Sequence, residues 1–124
     1  MKKKIADKAR LQHILEAISE IETYTEKCDF KKFEETSLIK HASIHQLQII
    51  GEASNHLLDD TKQLAKDIPW ERIVGLRNYL IHEYFGVDDE ITWNIIQHDV
   101  PKLKVAILKI LEVGFSNLSK FSKK

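Results

Sequence analysis

Residues that interrupt helices are scarce: four glycines and two prolines in 124 residues, and no stretch reads as a linker or an internal repeat. Few breakers and spaced apolar residues point to long helices joined by short turns. There is one cysteine, Cys28. It excludes an internal disulfide and suits a reducing cytoplasm, and a half-buried bystander is the expected role. No run of about 18 apolar residues occurs, which excludes a membrane-spanning helix. The start, Met1 to Asp7, turns charged and helical at once and lacks the apolar core of a signal peptide. An excess of one charge is also missing, with nineteen basic residues against nineteen acidic ones. A global basic field for nucleic acid is therefore excluded, and any RNA contact must use a local basic cleft. What charge asymmetry exists is local: five cations and one anion in the first ten residues, Lys120, Lys123 and Lys124 at the end, and an acidic spot at Asp88-Asp89-Glu90.

No alternating strand pattern of useful length appears, so the predicted fold is all-α, a bundle of four to five helices. The expected organisation is one helical domain over residues 1–117 and a flexible basic tail over 118–124. A first helix is predicted from about Asp7 to Lys27, with Leu11, Ile14, Leu15, Ile18 and Ile21 forming one apolar stripe. Cys28 to Glu35 reads as a polar turn in which Phe30 and Phe33 plug the bundle end. Thr36 or Ser37 can cap a second helix, whose inner face is read as Leu38, Ala42, His45, Ile49 and Ala53. After a short charged piece through Asp67, Ile68-Pro69-Trp70 opens a third helix. That helix continues to about Tyr84 and ends at Phe85-Gly86. Asp88-Asp89-Glu90 suits the positive end of a fourth helix. Asp99 and Pro101 signal a fresh start, and Leu103, Ile107, Ile110 and Leu111 line a last helix.

The chemistry concentrates in the third helix. Arg77 and Tyr84 lie seven residues apart and point along nearly the same face, while Asn78 and His82, four apart, stack as a second pair. Arg77 and His82 are separated by about 140° around the axis at the helical period of about 100° per residue. One straight helix does not easily focus both on a single atom, but two copies related by a twofold axis can share a cleft. Histidine can take a proton from a ribose 2′-hydroxyl or return it to a leaving oxygen. Arginine offers a fork of donors to phosphate oxygens and stabilises developing charge. Such a reaction needs the 2′-hydroxyl and spares DNA. Spacing alone favours a plainer alternative, a hydrogen-bonded core histidine near a helix end, because short motifs recur by chance.

Arg77-x-x-x-x-His82-x-Tyr84 resembles the arginine-x4-histidine-x-tyrosine motif of the HepT-like HEPN family. Ile50-Gly51-Glu52-Ala53, Ile68-Pro69-Trp70, Tyr84-Phe85-Gly86-Val87-Asp88, Trp93 and Asp99-Val100-Pro101 are similar to its landmarks, in family order from about Leu11 to Leu111. The resemblance implies an up-and-down bundle that forms a homodimer with the motif lining the intersubunit cleft. It implies a metal-independent endoribonuclease toxin of a type VII toxin–antitoxin system, with Arg77 and His82 as catalytic pair and Asn78 in support. It further implies a minimal nucleotidyltransferase antitoxin as partner, which transfers AMP to Tyr84. The Gly-Ser and Asp-x-Asp pattern of that transferase is absent here, so this chain is the substrate side of the pair.

Other residues carry alternatives. His41 and His45 share a helix face, yet two ligands do not define a metal site, and no metal or cofactor is expected. Glu52 is a carboxylate expected near the bundle centre, where it needs a partner such as Arg77, and Gly51 permits close helix approach. Trp70 and Trp93 could stack on bases, but core packing fits their apolar settings better. A different functional class also fits: a non-catalytic nucleotide- or protein-binding helical module that partners a nucleotidyltransferase.

Overall fold

The computed structural model describes residues 2–82 and 86–115, the side chains of residues 2, 3, 81 and 82 excepted. Those residues form α1 (Lys2–Thr25), α2 (Phe30–Glu35), α3 (Ser37–Asn55), α4 (Asp59–Lys62), α5 (Trp70–His82), α6 (Asp89–Asn94) and α7 (Val100–Gly114). The expected all-α bundle is what is found. No strand occurs among the described residues, and none of their helices is long and apolar enough to cross a membrane. The predicted tail over 118–124 and the predicted stop at Phe85 lie outside the described residues.

α3 sits between α1 and α5, and α1 also touches α7. The stripe read from the sequence holds α1 in place. Leu11, Ile14, Ile18 and Ile21 are at most 1% exposed, and each such side chain contributes about 1.5–3 kcal/mol on leaving water. Leu103, Ile107 and Ile110 do the same for α7. At the bundle end, Phe33 is fully buried and its ring lies 5.2 Å from that of Trp93, with Phe30 at 6.5 Å. Trp93 is thus a packing residue. Trp70 donates its Nε1 hydrogen to the carbonyls of Lys62 (3.1 Å) and Ala65 (3.0 Å), which ties the turn after α4 to the start of α5.

Four expectations need correction. The segment after Cys28 is helical, because Asp29 caps α2 by accepting from the Lys32 amide at 2.8 Å. Thr36 occupies the N-cap of α3, but neither hydroxyl provides the cap: Thr36 makes no side-chain capping bond, and Ser37 lies inside the helix with its Oγ 3.2 Å from His41 Nδ1. The inner face of α3 is rotated from the predicted one. Leu38 is 80% exposed and His45 is exposed, while Ser43, Ile44, Leu47, Ile50, Gly51 and Ser54 are buried. Finally, the chain does not restart at Asp99. α6 runs through a single π-turn, Ile95–Asp99, straight into α7. The Val100 amide bonds back to the Ile95 carbonyl; that wider turn, placed just before Pro101, accommodates a ring that lacks an amide hydrogen.

Two long-range ties orient the helices that matter for function. Arg72, in the first turn of α5, pairs with Asp99 at 2.9 Å, and Lys40 of α3 pairs with Asp89 at 2.8 Å. A third tie was invisible in the sequence. Asp7 is fully buried and accepts hydrogen bonds from the Leu58 amide (3.0 Å) and the Thr61 hydroxyl (2.5 Å), with Arg10 at 3.3 Å. It fixes the start of α1 to the α3–α4 connection.

Candidate active site

α5 is amphipathic: Ile73, Leu76 and Leu80 are buried on one side. Arg77 follows Leu76 and emerges at the edge of that buried face, about half exposed. Asn78 is exposed, and by the helical period positions 78 and 82 share the face opposite the buried leucines. His82 closes α5, but its side chain lies outside the described residues, as does Tyr84 altogether. The geometry of these two predicted site residues is therefore not part of the observed site.

Glu52 of α3 meets Arg77 as expected. Its Oε2 lies 2.6 Å from Arg77 Nε, and its Oε1 lies 3.1 Å from His56 Nε2. The carboxylate is not central and buried as predicted but 46% exposed. A pair this exposed contributes only about 0.2–1 kcal/mol to stability. Its consequence is positional. The carboxylate sits beside the Nε edge of the half-exposed guanidinium as an ion-pair partner.

Gly51 explains how α3 and α5 come close enough for this pair. A Cβ at Gly51 would lie 2.9 Å from the Arg77 backbone nitrogen and 3.2 Å from the Ile73 carbonyl oxygen. Only a residue without Cβ allows that approach. Gly51 therefore sets the helix separation and, one residue later, Glu52 uses it.

His56 is the residue that sequence reasoning passed over. Its spacing of four from Glu52 within a helix was the available signal. The remaining candidates separate from this cluster. His41 and His45 are exposed, and no group of three or more His, Cys, Asp or Glu able to hold a metal occurs among the described residues. Cys28 is half-buried, and burial pushes its thiol above the ordinary range against the opposing pull of Lys32, which argues against a ready nucleophile. A groove of about 580 Å³ between residues 63–68 and the Lys102–Lys109 face of α7 is lined by none of the motif residues.

By class, this is a helical bundle that presents an arginine, paired with a carboxylate of a neighbouring helix, on the exposed side of an amphipathic helix. Comparison with known proteins makes the class specific. A family model described as "Ribonuclease HepT-like" matches residues 14–110. The chain is 42% identical over 97 residues to "Putative RNase MJ1380" of Methanocaldococcus jannaschii, covering 78% of this chain and 89% of that protein. It is 41% identical over 101 residues to "Probable ribonuclease HepT" of Thermococcus cleftensis, covering 82% and 92%. A third relative, "Gamma-glutamylcyclotransferase and putative RNase MJ0434" of M. jannaschii, is 41% identical over 105 residues, which span 85% of this chain and 47% of that protein. No solved structure matches. The chain belongs to the HepT-like ribonuclease family.

Proposed function

We propose that this chain is a metal-independent endoribonuclease acting as a homodimer, with Arg77 and His82 as its catalytic pair. The observation that carries the reading is the family match over residues 14–110, which contains the whole Arg77–Tyr84 segment. The Glu52–Arg77 pair supports it, because it keeps a half-exposed guanidinium, a suitable donor group for phosphate, on the helix that carries the motif. In the reaction, the ribose 2′-oxygen attacks the adjacent phosphorus while the bond from phosphorus to the 5′-oxygen breaks. A 2′,3′-cyclic phosphate and a 5′-hydroxyl result. His82 takes the 2′ proton and returns it to the leaving oxygen, and Arg77 stabilises charge on the non-bridging oxygens. Asn78 supports the imidazole or a phosphate oxygen, and Glu52 holds Arg77.

The same reading makes the protein a cytoplasmic toxin of a type VII toxin–antitoxin pair. A nucleotidyltransferase antitoxin transfers AMP to Tyr84: the phenol oxygen bonds to the α-phosphorus of ATP and gives up its proton, while the bond from that phosphorus to the oxygen bridging to the β-phosphorus breaks and pyrophosphate leaves. An added anionic phosphate and adenosine beside the cleft repel and displace RNA. The even balance of nineteen cations and nineteen anions favours a second reading, a non-catalytic module that binds nucleotide or the transferase.

Incubation of the purified chain with single-stranded RNA and EDTA separates the two. Fragments ending in 2′,3′-cyclic phosphate are expected, and intact RNA at high protein concentration would remove the catalytic reading. For the regulatory half, intact mass is measured after co-expression with a transferase encoded beside the gene. The expected result is a set of adenylate increments that Tyr84→Phe abolishes.

A further inference from the structure

α1 carries a second stripe besides the apolar one that faces the core. Ala6, Arg10, His13, Ala17 and Glu20 recur at spacings of three and four and border two grooves between α1 and α3. The grooves measure about 480 and 310 Å³, and His13 and Ile49 line both. Together they form one seam, about 21 Å long from Ala6 to Glu20 at the rise of an α-helix. The wider groove exposes almost only apolar atoms, with Ala6, Ala9, Ile49 and Ala53 in its wall. Such a surface offers little to a polar ligand and gains by being covered by another protein surface.

The charges along α1 indicate which surface. Residues 2–13 hold five cations and one anion, whereas residues 14–25 hold Glu16, Glu20 and Glu22 and no cation. That order opposes the helix dipole, which favours anions at the start and cations at the end. Pairing within the chain accounts for little of it. Arg10 meets the buried Asp7 at 3.3 Å and Glu22 meets Lys104 at 3.0 Å. Among the described residues, Lys4, Lys8, Glu16 and Glu20 have no ion partner. An antiparallel copy of α1 answers both halves at once. With a twofold axis crossing α1 at His13, residues equally far before and after His13 face each other. Arg10 then faces Glu16 of the partner subunit, and Ala9 faces Ala17 of the partner subunit. An axis along the helices would instead set both cationic ends side by side, which like charges oppose.

We infer that the α1–α3 seam is the contact between two copies of this chain, packed antiparallel about a twofold axis at His13 and Ile49. The inference rests on the proposed homodimer and names the face that it uses. Glu52 borders the seam and meets Arg77 at 2.6 Å, so the covering copy arrives beside the guanidinium. That is where a catalytic centre shared between copies needs it.

The test reads association of the full chain, so it stands apart from RNA cleavage. Arg10→Glu and Glu16→Arg each place like charges at both symmetry-related contacts. Sedimentation should show each variant raising the dimer Kd about tenfold or more. Mixed in equal amounts, the two variants meet with opposite charges at both contacts. Native mass should then show a one-to-one heterodimer, with a Kd returned to that of the parent. His13→Cys should form a disulfide between copies on mild oxidation, since the axis sets the two positions face to face. Gln12→Cys, exposed but off the stripe, should not, and the parent with Cys28 gives the background. Circular dichroism checks folding; should Arg10→Glu misfold through its contact with Asp7, Glu16→Arg and His13→Cys decide. A parent dimer that the folded charge reversals do not weaken, or that His13→Cys does not link, overturns the seam and leaves the homodimer standing. Weakened variants that fail to pair on mixing overturn the antiparallel register, and the inference with it. A parent that stays monomeric at the highest soluble concentration overturns the seam and the homodimer together. A dimer that passes every step yet leaves RNA intact removes the catalytic reading alone and supports the seam.

Discussion

His82→Ala and Arg77→Ala are each expected to lower RNA cleavage by roughly 100- to 10,000-fold, the range seen when a general acid–base or a charge-stabilising donor is removed. The two losses should look alike in one respect. Each removes an interaction that grows as the 2′-oxygen attacks, so kcat falls and KM changes little. Arg77→Ala should leave the helix that carries it intact. Arg77 is half exposed and its pair with Glu52 contributes about 1 kcal/mol or less. Thermal unfolding of Arg77→Ala should therefore stay within a few degrees of the parent. Initial rates on a defined single-stranded RNA, measured with EDTA present, check both variants. A His82→Ala protein that cuts at the parent rate removes the histidine from the mechanism.

The second large effect is structural in origin. Gly51→Val forces a Cβ to within 2.9 Å of a backbone nitrogen and 3.2 Å of a backbone oxygen on α5. Neither atom can rotate away as a side chain would, so α3 and α5 must part. Overpacking of this kind costs about 1–3 kcal/mol, with the upper end expected for a β-branched residue against backbone. The alanine variant is less informative, because alanine regains up to about 1 kcal/mol of helix propensity over glycine and can mask the clash. Gly75 supplies the control. It lies within α5, and a Cβ there meets nothing within 4 Å. Gly75→Ala should stabilise by up to about 1 kcal/mol while Gly51→Val destabilises. Urea unfolding midpoints measure both. Cleavage by folded Gly51→Val should also fall, since a wider α3–α5 gap breaks the 2.6 Å contact that orients Arg77. Equal stability of Gly51→Val and parent would mean that the helix contact is softer than its geometry implies.

Much of the fold could be read from the pattern of residues, and the exceptions share a cause. The α1 stripe was legible because that helix has one apolar face. α3 has two competing sets, with Leu38, Ala42, Ile49 and Ala53 at one helical register and Ile44, Leu47 and Ile50 at another. Contact with both α1 and α5 selects the second set. That choice also buries Ser43 and Ser54, whose small volume matters more there than their polarity. Pattern reading scores volume and polarity together and so inverts the face. Asp7 escaped notice for another reason: its partners Leu58 and Thr61 are 51 and 54 residues away, and nothing local marks them. At Asp99-Val100-Pro101 the proline rule was sound but incomplete, because a π-turn lets the helix pass through.

In the site, the types of Arg77, Glu52 and Gly51 were enough to anticipate a helix pair with an ionic contact. The sequence could not show that Glu52 is shared between Arg77 and His56, which depends on the register of α3 against α5. Nor could it reveal the groove beside them. That feature arises from alanines on two helices 44 to 47 residues apart in sequence, each unremarkable alone.

The central claim is that one catalytic centre draws its guanidinium and its imidazole from different copies of the chain. Mixing inactive Arg77→Ala with inactive His82→Ala and letting subunits exchange tests it most directly. Random pairing makes about half of the dimers mixed, each with one complete centre out of two, so cleavage should return to about a quarter of the parent rate. A mixture that stays as inactive as its components, with exchange verified by native mass, would contradict the claim.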